Sequence, residues 1–147
     1  MAFSASGMSA PNVIDVYDAT QLAIDTSLTT HKVALFTNSL AQDLTTETGY
    51  TSTNEIPNGS GYTTGGVAVA TPTTTQSPSG TVKYDFDDSQ WTSSTFSSVR
   101  GAREYADALA GNNIIVDITF GADYAVVSGT LTVQYAAGGV LTQDVTP

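Results

Sequence analysis

The sequence predicts a mainly β protein, a single β-sandwich or jelly-roll-like domain with a short N-terminal helix. Three observations carry that expectation. Six to eight short apolar runs rich in β-branched and aromatic residues are separated by Gly, Pro or Asn clusters along 147 residues. Several of these runs alternate apolar and polar residues with period two, as half-buried strands do. Charged residues make up only 12% of the chain, so Thr, Ser, Asn, Gln and Gly must form most of its surface. Thr is a β-favouring residue that covers surface without carrying charge.

Residues 1–12 are small and polar, ending in Pro11-Asn12, and predict a flexible N-terminal arm ahead of a β-sandwich domain at 13–147. Val13, Tyr17, Gln21 and Ile24 fall near helical spacing behind Asn12, a candidate N-cap, so a short helix is expected around 13–25. A strand at 13–17 competes with it, because the segment is β-branched. Lys32–Thr37 is a compact apolar run and reads as a central strand. Residues 38–61 are polar with little periodicity. Loops longer than about 12–15 residues are uncommon in compact domains, and such loops are usually functional or mobile.

Val67–Thr71 predicts a short strand, and Pro72–Gly80 a turn marked by Pro78 and Gly80. In Thr81–Asp87, Val82, Tyr84 and Phe86 share one face, while Lys83, Asp85 and Asp87 take the other. Trp91 and Phe96 are expected in the core. Residues 97–109 fit a helix through Val99, Ala102, Ala106 and Leu109, and equally an edge strand, with Gly101 weakening both. A turn at Ala110–Asn113 leads to strands at Ile114–Phe120 and Gly129–Tyr135. Gly138-Gly139 predicts a turn before a last apolar pair, Val140-Leu141.

The formal net charge of −10 and the four basic side chains, Lys32, Lys83, Arg100 and Arg103, leave no basic patch for nucleic acid. An anionic membrane surface would repel the chain too. No run approaches the ~18 apolar residues of a membrane-spanning helix, and the N-terminus does not read as a secretory signal. The chain is therefore expected to be made in a cytoplasm. Strong negative charge favours solubility or docking on a basic partner. With no cysteine there is no thiol nucleophile and no thiolate metal site.

Candidate chemistry is sparse. His31 stands alone just before a strand and reads as a surface or strand-end residue rather than a catalytic base. No Gly-x-Ser-x-Gly elbow occurs. Asp85, Asp87 and Asp88 are the densest carboxylate cluster, but they lack calcium-loop spacing and read as a polar strand face running into a turn. Glu47, Glu55 and Asp123 supply acids for a hydrolase without any feature that pairs them. The Gly59-x-Gly61 and Gly65-Gly66 pairs lack the Lys of a phosphate loop and read as turn glycines around Tyr62. No catalytic, cofactor-binding or metal-binding residue is assigned, and no enzyme activity is expected.

Three ordered segments stand out: KVALFTNSL (32–40), NEIPNGSGYTTGGVAVA (54–70) and VKYDFDDSQWTSSTFSSVRGAREY (82–105). Together they resemble a family of small virion structural proteins of tailed phages, over roughly residues 13–135. The resemblance implies a β-sandwich virion component of the capsid-decoration or minor-capsid type, with a strand at 96–108 and no catalytic residues. Arg100-Gly101-Ala102-Arg103-Glu104 is more polar than that pattern. The expected function is a capsid decoration or cement protein on the outer face of the major capsid lattice. Its expected partners are the major capsid protein and further copies of itself, a trimer above all, because symmetric sites recruit symmetric oligomers. The alternative is a tail, baseplate or fibre-associated protein whose 38–61 loop offers Tyr50 and Tyr62 to a host glycan.

Overall fold

Two antiparallel sheets face each other across an apolar core, as the sandwich expectation requires. The structure is a computed structural model that describes residues 3–17 and 23–145. The elements are α1 (Ala10–Tyr17), β1 (Lys32–Thr37), β2 (Val67–Ala68), β3 (Thr73–Gln76), β4 (Thr81–Asp85), β5 (Ser89–Ala106), β6 (Asn113–Val133) and β7 (Leu141–Asp144). The first sheet has the order β2-β1-β5-β6, and the second the order β3-β4-β7. No helix among the described residues is long and apolar enough to cross a membrane.

Strand alternation divides the first sheet into two faces. Val33 and Leu35 of β1, with Ala102 and Ala106 of β5, point at the second sheet and meet Tyr84, Phe86 and Trp91. Ala34, Phe36 and Tyr105 point the opposite way and pack with Phe3 and Leu40. That outer face is covered by the N-terminal segment and the 38–56 stretch, so β1 and the 101–106 end of β5 are buried on both sides. This double burial explains why Lys32–Thr37 reads as a continuous apolar run.

Several expectations change. The arm expected to be flexible lies on the domain over residues 3–12. Phe3 is 0% exposed and sits over Gly101, where an added Cβ would come within 2.4 Å of its ring. Gly7 and Asp117 exchange backbone hydrogen bonds at 2.9 and 2.8 Å, which covers part of the free edge of β6. The helix begins three residues earlier than the periodicity suggests and runs to Tyr17; residues 18–22 lie outside the described part, and 23–25 are not helical. Asn12 lies inside this helix rather than capping it. Its buried amide donates to the Thr48 carbonyl at 2.6 Å and the Ile114 carbonyl at 2.9 Å, tying α1 to the body.

Residues 97–106 are strand, the last part of β5, whose pairing with β6 shifts register at several points after Trp91. The strands expected at 114–120 and 129–135 fall in one long element, β6, which ends at Val133, two residues short of the expected end. Thr73–Gln76, expected in a turn, is instead a wholly exposed strand paired with β4. A strand with neither face buried leaves no apolar pattern to read.

Candidate functional site

Most of the residues singled out for chemistry are held in contacts within the chain. His31 is buried at the strand end rather than on the surface, with Nε2 donating to the Asp25 carbonyl at 2.7 Å. Asp85 pairs with Lys83 at 3.0 Å, Asp88 accepts from the Tyr135 amide at 3.0 Å, and Asp87 is exposed. No grouping of three metal-ligating side chains occurs among the described residues. Glu47, Glu55 and Asp123 are not brought together: Glu47 pairs with Arg103 at 2.8 Å, and Asp123 with Arg100 at 3.1 Å.

Glu55 organises a clip on β1. Its carboxylate accepts from the Tyr62 and Tyr50 hydroxyls and from the Gly65 amide at 2.7 Å. The Tyr62 oxygen in turn accepts from the Leu35 amide at 2.9 Å. Gly66 has φ 78° and lies so close to β1 that an added Cβ would meet the Val33 carbonyl at 1.9 Å. Only glycine fits there. Tyr62 is 2% exposed, and Tyr50 stacks on Tyr105 with ring centroids 4.0 Å apart. Both tyrosines that were candidates for a glycan are therefore packing residues. Burial first, then the Glu55 carboxylate, raises the pKa of both phenols.

Two further polar arrangements went unrecognised in the sequence. On the outer face Arg103, 1% exposed, forks onto Asp117 through Nε at 2.7 Å and through one terminal nitrogen at 2.8 Å. That same nitrogen reaches Glu47, and the Gln42 amide donates to Asp117 at 2.8 Å and to the Ala5 carbonyl at 2.9 Å. Burial opposes the Arg103 charge, but the hydrogen bonds and charges of Asp117 and Glu47 outweigh it and raise its pKa. On the inner face Glu104 is fully buried. It accepts from the Tyr84 hydroxyl, and its other carboxyl oxygen has no partner among the described residues. Burial pushes its carboxyl up to about 8, against the lowering effect of the Tyr84 hydrogen bond. The available signal was a charged residue at the centre of an apolar or strand-forming run: Asp117 within Ile114–Phe120, and Arg103-Glu104 within 97–109.

The distal half of the β5–β6 hairpin, near residues 92–98 and 120–132, is largely exposed. Register shifts interrupt the pairing between Trp91 and Gly101, and Ser93, Ser98 and Ser128 take φ values of 54°, 61° and 48°. These bulges bend the ribbon so that Ile118 and Phe120 line the same open groove as Leu131 and Val133, from the far end of β6. Residues 89–100 and 118–135 carry two charges, Arg100 and Asp123, which pair with each other. The limb is thus electrically neutral in a chain of net charge −10.

No family model, curated protein or solved structure matches this chain.

Proposed function

We propose that the chain is a structural protein of a tailed-phage particle, a capsid decoration or cement protein bound to the outer face of the major capsid lattice. The reading starts from the three sequence segments that resemble small virion proteins. The observation that carries it is the place of those segments in the fold. Residues 32–40 contain β1, residues 54–70 form the Glu55–Tyr62–Gly65 clip and β2, and residues 82–105 contain most of β4 and β5. The segments are far apart in the chain, yet the clip and β5 both pack on β1. The resemblance therefore concerns one connected structural unit rather than scattered strings.

Two further features fit a non-enzymatic building block. The candidate acids Glu47 and Glu55 serve in internal contacts, and the acidic surface suits a basic patch on a capsid lattice. The tail or fibre alternative leaned on the loop tyrosines, which are turned to packing. Gel densitometry of purified particles tests the proposal. Hundreds of copies per particle, with lower thermal or osmotic robustness after the protein is stripped, is the expected result. A handful of copies would move the protein to the tail.

A further inference from the structure

Glu104 sets a carboxyl group among apolar neighbours between the two sheets. It is 0% exposed, and its register partners are Val33 of β1 and Val116 of β6. The four basic side chains are all engaged by other carboxylates: Lys32 by Asp107, Lys83 by Asp85, Arg100 by Asp123, and Arg103 by Asp117 and Glu47. His31, buried just before β1, donates to the Asp25 carbonyl. The titratable groups that interact with Glu104 are the phenols of Tyr84, from β4, and Tyr135, from the segment after β6. Burial raises the pKa of both phenols, so they stay neutral wherever a carboxyl titrates. One Glu104 oxygen has no partner among the described residues. Ionising the group in that setting is costly, because neither a cation nor water offsets the lost hydration.

The same carboxyl anchors the second sheet. Tyr84 is the only buried residue in β3, β4 and β7, and its hydroxyl donates to Glu104 across the space between the sheets. Phe86, just past β4, and the half-buried Val140 and Leu141 add apolar contact. The first sheet has independent support. Its β5 strand pairs with β1 and β6 along 101–106, and the N-terminal segment covers its outer face. Moving the second sheet is therefore the least disruptive way to bring water to Glu104.

We propose that the second sheet is a proton-controlled flap: loss of the Glu104 proton lets β3, β4 and β7 open together and admit water to the carboxylate, while β1, β5 and β6 stay paired. The closed state holds the proton up to about pH 8, and the open state releases it from the ordinary value of 4.5. Opening is therefore favoured as pH rises through that window and gains nothing further above it. The inference does not depend on the decoration role, since it concerns the purified chain alone.

Amide hydrogen exchange of the full chain from pH 5 to 9, with the intrinsic exchange rates removed, tests it. Three strands of four or five residues with one buried side chain have too small an apolar face to hold as a detached sheet, so their amides report the opening. The amides of β4 and β7 are expected to open more readily than those of β1 and of residues 101–106. Their opening constant should rise by up to about tenfold per pH unit and level off above pH 8. Glu104→Gln should abolish the rise while leaving His31 in place. Tyr84→Phe should increase opening and carry the plateau to higher pH, because the Tyr84 hydrogen bond favours the charged carboxylate. Equal opening of β4, β7 and β1 would overturn the proposal, since the domain then opens as one. A rise that survives in Glu104→Gln would overturn it too, by assigning the proton to another group, as would opening of β4 and β7 that is independent of pH.

Discussion

The proximal and distal halves of the β5–β6 hairpin reverse the usual distribution of charge. In the proximal half every residue from Gly101 to Ala106 and from Asn113 to Asp117 is buried, and this stretch holds Arg103, Glu104 and Asp117. In the distal half most residues are exposed, and the one carboxylate, Asp123, is matched by Arg100. Polarity alone would place the halves the other way round. The difference lies in what covers each half. The N-terminal segment, the 38–56 stretch and the second sheet cover the proximal half, and they bring hydrogen-bonding partners with them. Little covers the distal half, which instead bends at its bulges.

The largest effect expected from this contrast is at Arg103. Arg103→Ala would leave Asp117 buried and facing only Gln42, a loss of about 3–5 kcal/mol for a broken buried pair. Urea unfolding measures it, and a loss within the ~0.5 kcal/mol usual for surface sites would erase the distinction between the halves.

Glu104 sharpens the comparison through pH. Its folded-state pKa, about 8, lies above the ordinary value of 4.5, so the folded chain holds a proton that the unfolded chain releases between those values. Stability should therefore fall as pH rises through that window and level off above it, with a slope of up to about 1.4 kcal/mol per pH unit from this one group. Urea midpoints at pH 6, 7 and 8 read the slope, and Glu104→Gln should flatten it. Equal slopes in the two proteins would refute a protonated Glu104.

The smallest effect belongs to the distal half. Ser98 holds φ 61°, a region that glycine enters freely. Ser98→Gly should leave stability unchanged or raise it by up to about 1 kcal/mol, as a shift in thermal midpoint. A clear loss would show that the serine side chain supports the bulge.

Much of the architecture was legible because it depends on local periodicity. Lys32–Thr37, Thr81–Asp85 and Ile114–Phe120 are strands in the structure, and Tyr84, Phe86 and Trp91 enter the core as their alternation and size suggest. The helix was legible in kind but not in its bounds, because Asn12 is held by partners far along the chain, at Thr48 and Ile114. The burial of the arm was not legible. One aromatic, Phe3, among small polar residues makes no pattern, and its site exists only where β5 presents Gly101. The strand at 97–106 was half visible, because residues 97–109 fit both helix and strand. The bulges of β5 and β6 arise from strand pairing across 92–128, which no local window contains.

The sequence by itself determined the β-rich class, the acidic charge and most strand positions, because hydrophobic alternation and turn residues act over a few neighbours. Only the tertiary structure decided which polar residues go inside. Arg103 and Glu47 are 56 positions apart, and Gln42 and Asp117 are 75 apart. A charge becomes tolerable in a core only when the fold delivers its partner, so its burial belongs to the pair and cannot be read from either residue alone.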